Sequence, residues 1–520
     1  MAERTSQGWY RPSLLVSDTT VETPQVLGSE GRSRSGADGR SPGAKSLIAR
    51  HPWWWVTLGV VLGSAALARF AGTRPGYDPY GWLDWGYQTL RGSLNLGGAP
   101  SWKPFTYLFT VPYSLFGHYA LWLWMTTANA LGIAGAIFGG RIAYRLTDAD
   151  DKHHYAAIGA AIFAGASVLG IQDYFHYILS SQSDPMLVTV CLAAIDCHLN
   201  RHYRWAWWLL ALASLGRPEV WAYAGLYAIW VWLKVPQMRW MLFAGVIINA
   251  FLWFGIPEIT NHRPNIAGQL ALRSPRELHS NKIVGTFDRY AALDYLPLEI
   301  AALVSVGLAV LRRSWIVLVL AGAVVLWILV EIGFALHGFA GVPRYLFEPA
   351  GLTAVLAGIT FGWLLLDASK LHRSLPSWAG IPLAVVLLVS MLPGALAQGR
   401  AEHKDIIAQH LRTTEINKLS ATINALGGYK HVLACGKPVA NVEFVSIIGW
   451  YMHLNTGVIG YRPQLELYHK KYPIVNFVAL PNGWAVQPYR TRPALRSTCA
   501  QLKSLYVPTA NHPHGVLVRN

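Results

Sequence analysis

Apolar and polar positions fall along this chain in long blocks, with little alternation from residue to residue. From Pro52 to Gln398 the apolar blocks are broken only by short polar stretches. A membrane-crossing helix needs roughly 20 mostly apolar residues. On that measure the pattern predicts spans at 52–70, 118–143, 154–171, 185–200, 203–216, 218–233, 239–256, 297–311, 315–336, 345–367 and 379–398, about eleven helices. The segments 203–216 and 218–233 are short and also fit one broken hairpin. Residues 1–50 are polar and rich in Ser, Gly and Arg, and read as a disordered tail. No apolar run precedes Pro52, so no secretory signal peptide is expected.

After Gln398 the apolar density falls. Residues 401–426 keep a helical period through Ile406, His410 and Leu411, then Leu419, Ile423 and Leu426, and Gly427-Gly428 reads as a cap. Short runs at 431–434, 442–448, 474–480 and 515–518 read as strands. The expected fold is therefore an all-α polytopic membrane protein carrying a small C-terminal α/β domain. Its parts are a tail (1–50), a membrane domain (51–398) with a long first outer loop (71–117), and a soluble domain (399–520).

Composition sharpens this picture. Of 520 residues, 53% are hydrophobic and only 13% charged, against about 25% in soluble domains. One soluble core cannot hide that much apolar surface. The net charge is nevertheless +16, so the position of the cations decides what they mean. If the tail is cytoplasmic, alternate short loops carry Arg141, Arg145 and Lys152; Arg201 and Arg204; Lys234 and Arg239; Arg312 and Arg313; Lys370 and Arg373. This is the positive-inside pattern. It places the N-terminus in the cytoplasm and the C-terminal domain outside a plasma or inner membrane. Basicity so placed points to membrane phosphates, and nucleic acid is not an expected partner.

Ionisable groups near the bilayer are costly and therefore informative. The first outer loop reads GYDPYGWLDWGYQTLRGSLNLGGAPSWKPF from Gly76, with Asp78, Asp84 and Lys103 among Tyr77, Tyr80, Trp82, Trp85 and Tyr87. That aromatic setting suits a general base and the apolar faces of sugar rings. The same residues also fit an interfacial aromatic belt, with Asp78 starting a turn before Pro79. The next outer loop, IQDYFHYILSSQSDP, offers Asp173, His176 and Asp184. Asp184-Pro185 fits a helix N-cap followed by an N1 proline, and His176 fits a hydrogen-bonded structural residue. In LGRPEVW, Arg217 and Glu219 fit either a local ion pair or an arginine facing an anion such as lipid phosphate. GVPRYLFEP brings Arg344, Tyr345 and Glu348 to the outer end of a span, and 257–296 adds Arg263, Arg273, Arg276, Lys282 and Arg289.

Asp148, Asp150, Asp151, His153 and His154 fit a solvated loop better than a metal site. Gly135 and Gly139 form a GxxxG, read as close helix packing. Cys435 and Cys499 fall in the outer domain, where pairing and separate thiols both remain open, while Cys191 and Cys197 read as small packing residues. The chain has no nucleotide-binding GxxxxGK[ST] or GxGxxG, and no HExxH or GxSxG.

These features together resemble the polytopic C-type glycosyltransferase superfamily across 52–398. The resemblance rests on Asp78 just beyond the first helix, on SWKPFTYLFTVPYSLFG from Ser101, and on LGRPEVWAY and PRYLFEP, which are similar to segments of actinobacterial-type members. It implies an inverting enzyme that moves a sugar, hexosyl or pentosyl, from a polyprenyl phosphate to a cell-envelope glycan, lipid or protein acceptor at the outer face. It further implies Asp78 as the base, Asp84 as a second acid displaced from the adjacent pair of some subfamilies, and Arg217 and Arg344 as lipid-phosphate ligands. Lys103, His176, Asp184, Glu219 and Tyr345 complete the expected substrate-binding set. No cofactor and no divalent metal are expected, the lipid-linked donor being a substrate. The competing expectation is a transporter or lipid-linked sugar flippase, which would need polar groups along a path through the bilayer. The spans are poor in such groups.

Overall fold

The computed structural model describes residues 52–500 except 99, 101, 149–152, 273–275, 280, 367–375, 377, 470 and 481–482. The tail, Asp150, Asp151, Lys152, Arg273, Lys370, Arg373 and the expected strand at 515–518 lie outside the described residues.

Every predicted span contains a helix. With helices that form in the expected outer loops, the main helices in chain order are α1 (Pro52–Phe70), α2 (Tyr77–Leu90), α3 (Pro104–Ser114), α4 (Ala120–Thr147), α5 (His154–Leu169), α6 (Tyr174–Leu179), α7 (Asp184–Leu199), α8 (Tyr203–Ser214), α9 (Val220–Lys234) and α10 (Arg239–Ala250). They continue with α11 (Lys282–Ala291), α12 (Leu296–Arg312), α13 (Trp315–Leu336), α14 (Phe347–Leu365) and α15 (Gly380–Ala425). Among the described residues, six helical stretches are long and apolar enough to cross a membrane, or seven if α11 and α12, bent by 98°, form one span. The expected eleven is therefore too many by this criterion. Helices α5, α7, α8 and α9 have only 12 to 16 residues, short of a full crossing.

The core is built around α14. Within Pro343–Leu365 an 18-residue stretch is 83% buried inside the protein, and α14 packs on α4, α5, α7, α12 and α13. Small residues allow this. A Cβ added at Gly358 would lie 2.9 Å from the Ala160 carbonyl, and one at Gly140 would lie 2.8 Å from the Ala161 carbonyl. The GxxxG reading holds for the same reason: a Cβ at Gly135 would meet the Tyr174 hydroxyl at 2.9 Å, and one at Gly139 would meet Val168 at 3.1 Å. Apolar side chains gain little from burial when the alternative is lipid, so close backbone approach and dispersion carry these contacts.

The alternating loops gather into two polar ends. At one, Arg141 and Arg145 reach Asp196 at 2.9 and 3.7 Å, and Arg312 lies over Trp363. At the other end meet residues 71–76, 102–104, 177–184, 217–219 and 344–348.

The C-terminal part departs from expectation at its border. No break occurs near 398, because α15 runs unbroken for 46 residues and ends where expected, before Gly427 and Gly428 with positive φ. Beyond it come α16 (Tyr429–Cys435), β1 (Lys437–Ala440), α17 (Val445–Met452), β2 (Ile474–Leu480), β3 (Gly483–Tyr489) and α18 (Arg496–Ala500). The sheet order is β1-β2-β3, parallel then antiparallel. The expected strands at 431–434 and 442–448 are helical: α16 lies against β1, β2 and α15, and α17 packs on α2 and α15. Among the described residues, only 474–480 is a strand as read. Cys435 and Cys499 are disulfide-bonded with Cα atoms 5.7 Å apart, whereas Cys191 and Cys197 are free.

The α4–α5 approach is testable. Replacement of Gly140 by Leu forces a side chain into the Ala161 backbone and should destabilise by about 1–3 kcal/mol or more. A lowered melting temperature of detergent-solubilised protein, with Gly399→Leu on the open face of α15 unchanged, is the expected result.

Candidate functional site

The second polar end is a meeting of helix starts. Asp78 lies in the first turn of α2, Lys103 immediately precedes α3, Asp184 opens α7, Glu219 precedes α9, and Arg344 and Tyr345 form the turn that enters α14. Helix N-termini favour acidic side chains and attract anions. Proline at the start of α3, α7 and α14's entry turn fixes where each begins.

Asp184 is the centre. Sequence reading makes it an N-cap, but Ser183 holds that position and Asp184 is the first helical residue. Its carboxylate is fully buried and is shared by three cations. Arg217 bonds one oxygen directly, Lys103 Nζ is 3.8 Å from the same oxygen, and Arg344 Nη1 is 3.8 Å from the other. Arg344 Nη1 also donates to Asp78 Oδ2 at 3.2 Å. Arg217 is enclosed further. Its Nε is 3.4 Å from Glu348, its Nη1 3.9 Å from Glu219, and its Nη2 donates to the Arg344 carbonyl at 3.0 Å. Its guanidinium lies 4.2 Å from the Tyr345 ring centre. The local Arg217–Glu219 pair is thus the weakest of its contacts.

Exposure separates the members. The Arg217 side chain is only 3% exposed, while Arg344, Lys103 and Asp78 keep 13%, 16% and 18%. Lys103 Nζ also donates to Ser183 at 3.3 Å and lies over the Trp82 ring. Burial lowers the Lys103 pKa, and the neighbouring Asp184 opposes that shift. The accessible face of the cluster therefore presents one carboxylate and two cations.

Two expected members stand apart. Asp84 lies six residues after Asp78, about 240° around the helix. It is buried and accepts a 2.6 Å hydrogen bond from Gln88. Burial raises its pKa to about 8, which favours the neutral acid at pH 7. His176 bonds Asp405 at 2.8 Å and Gln409 at 3.1 Å, tying α6 to α15. The bland reading of His176 is the one its contacts support.

Sequence reasoning missed Ser183 and Tyr177, the latter lying under Arg344. It also gave Glu348 no role and overlooked Glu331, a buried carboxylate near Glu219. Glu331 had a clear signal, a lone carboxylate within the apolar helix α13. Glu348 also lines an apolar cavity of about 630 Å³ between α7, α8, α9, α13 and α14. Among the described residues no group of three or more His, Cys, Asp or Glu side chains is arranged to hold a metal ion.

No protein-family model matches the chain, and no curated protein matches it. Two solved structures are similar over most of its length. The crystal structure of ArnT from Cupriavidus metallidurans bound to undecaprenyl phosphate is 14% identical, with TM-score 0.46, covering 88% of this chain and 96% of that one. The apo crystal structure of the same ArnT is 15% identical, with TM-score 0.48, covering 89% and 96%. No activity or ligand passes to this chain from that likeness.

Two consequences can be measured. Asp84→Asn should keep the fold, since the amide replaces a neutral acid. The folded-state pKa near 8 exceeds the unfolded value near 3.8, so the folded form binds the extra proton. Wild-type stability from this group is complete below pH 4 and declines as pH rises toward 8, and the Asn variant should lose that decline in melting curves between pH 5 and 8.5. Asp184→Asn should instead leave Arg217 under-compensated and destabilise by about 3–5 kcal/mol, read as a large drop in melting temperature at pH 7.

Proposed function

We propose that this chain is a multi-pass membrane glycosyltransferase that moves a sugar from a polyprenyl-phosphate donor to a cell-envelope acceptor, with inversion, at the outer face. The observation that carries the reading is the accessible trio of Asp78, Arg344 and Lys103, set on a buried frame of Asp184, Arg217 and Glu348. In this reading the polar end that holds the trio faces outward, the N-terminus is cytoplasmic, and the end with Arg141 and Arg145 is the inner one.

The chemistry follows from the charges. Asp78, oriented by Arg344, takes the proton of the acceptor hydroxyl as its oxygen attacks the anomeric carbon. The bond from that carbon to the phosphate oxygen breaks, and its electron pair leaves with the phosphate. Arg344 and Lys103 stabilise the charge that develops there. This assignment differs from the expected pair of Arg217 and Arg344. Three carboxylates already surround Arg217, so its role is to hold the entry turn of α14 in place. The apolar cavity that reaches Glu348 suits an isoprenoid chain, being lined by Leu210, Leu226, Val319, Leu320 and Leu326 among others.

Membranes containing the protein, supplied with a panel of radiolabelled polyprenyl-phosphate sugars, test the reading. Asp78→Asn should reduce transfer by about 10²–10⁴-fold with the melting temperature unchanged. Arg344→Ala and Lys103→Ala should raise the KM for donor as well. Near-normal transfer by the Asp78 variant would falsify the base assignment.

A further inference from the structure

A second basic site lies outside the constellation. A cavity of about 400 Å³ opens between the end of α1, helix α4 and the polar half of α15. It is lined by Arg69, Arg74, Trp122, Thr413 and Asn417, with Ala68, Gly72 and Thr73 completing the wall. No carboxylate lines it, and none of its residues belongs to the Asp78–Asp184–Arg344 cluster.

Arg74 is held from several sides. Its backbone N–H donates to Thr413 at 2.8 Å, its carbonyl accepts from Arg412 at 3.0 Å, and its Nε donates to Asn417 at 3.0 Å. Its guanidinium lies 4.9 Å from the Trp122 ring centre. Yet Nη1 is buried without a hydrogen-bond acceptor. Arg69, in the last turn of α1, adds a second cation. Arg217, Arg344 and Arg141, by contrast, each face a carboxylate. A half-buried, fixed guanidinium with no ion-pair partner among the described residues is suited to receive an anion, because its geometry is set before any ligand arrives.

We infer that this cavity binds a phosphate group, supplied by a lipid headgroup or by free phosphate. The Arg74 guanidinium, anchored through Nε to Asn417, supplies the positive charge and donors for a phosphate, and Arg69 adds a second charge. The volume is within the range of small-molecule sites and has room for the glycerol atoms of a phosphodiester. The inference does not depend on the glycosyltransferase reading, since it uses none of the residues assigned there.

The test uses the full chain in uncharged detergent. Thermal unfolding is followed against dioctanoyl phosphatidylglycerol, dioctanoylglycerol and inorganic phosphate, for the wild type, Arg74→Gln, Arg69→Gln and Arg74→Lys. Phosphate or the phosphatidylglycerol should raise the wild-type melting temperature in a dose-dependent way, and dioctanoylglycerol should not. Stabilisation by phosphatidylglycerol alone identifies a headgroup as the source, and stabilisation by inorganic phosphate identifies the free ion as sufficient. Arg74→Gln should weaken the apparent affinity by roughly tenfold, with partial recovery in Arg74→Lys. If Arg74→Gln fails to fold, Arg69→Gln, whose ring contact is only with its neighbour Phe70, still reports through a weaker dose response. Equal shifts in wild type and Arg69→Gln, equal shifts with dioctanoylglycerol, or no shift with either phosphate compound would overturn the inference.

Discussion

The buried carboxylate of Asp184 is the contact on which the polar end of this protein depends. Arg217, Arg344 and Lys103 come from three separate parts of the chain and carry like charges. Without a shared counter-ion they would repel within a few ångströms in a medium that screens poorly. Asp184 turns that repulsion into a common attachment. It thereby fixes the entry turn of α14, the start of α3 and the Arg217 break between α8 and α9 relative to one another. Buried ion pairs are weak sources of net stability, but losing one partner is expensive. The arrangement therefore defines geometry more than it adds stability.

The convergence of helix starts adds a field to that geometry. Several N-termini point toward one region, and each contributes partial positive charge. Side-chain cations and helix ends act in the same direction on the accessible side, where Arg344 and Lys103 face a single carboxylate, Asp78. Asp78 is accessible within this setting because Arg344, and not solvent alone, offsets its charge.

The helices were legible because apolar blocks and loop charges are physical requirements of a chain that crosses a bilayer. The ends of α1, α5, α7, α12 and α13 fall within two residues of the expected spans. Asp78, Lys103, Asp184, Arg217, Glu219, Arg344 and Tyr345 were also legible as polar groups at the ends of apolar runs. What could not be read was which way each side chain turns. Asp84 and Asp78 share a helix but not a face. His176 finds its partners more than 220 residues away. The strands at 431–434 and 442–448 failed because short apolar runs look alike whether they pack on a helix or join a sheet. The border at 398 falls inside α15: hydropathy records the change of solvent along the helix, and the backbone hydrogen bonds ignore it.

That unbroken helix has a mechanical consequence. At about 1.5 Å per residue, its 46 residues form a rod of roughly 70 Å. Its apolar half packs beside α14 and α12, and its polar half carries β3 and α17. The C-terminal module therefore cannot swivel on a tether. Any tilt of the rod within the bundle must sweep the module across α2 and the ends of α1 and α6, with Pro393 inside the helix as its natural point of flexure.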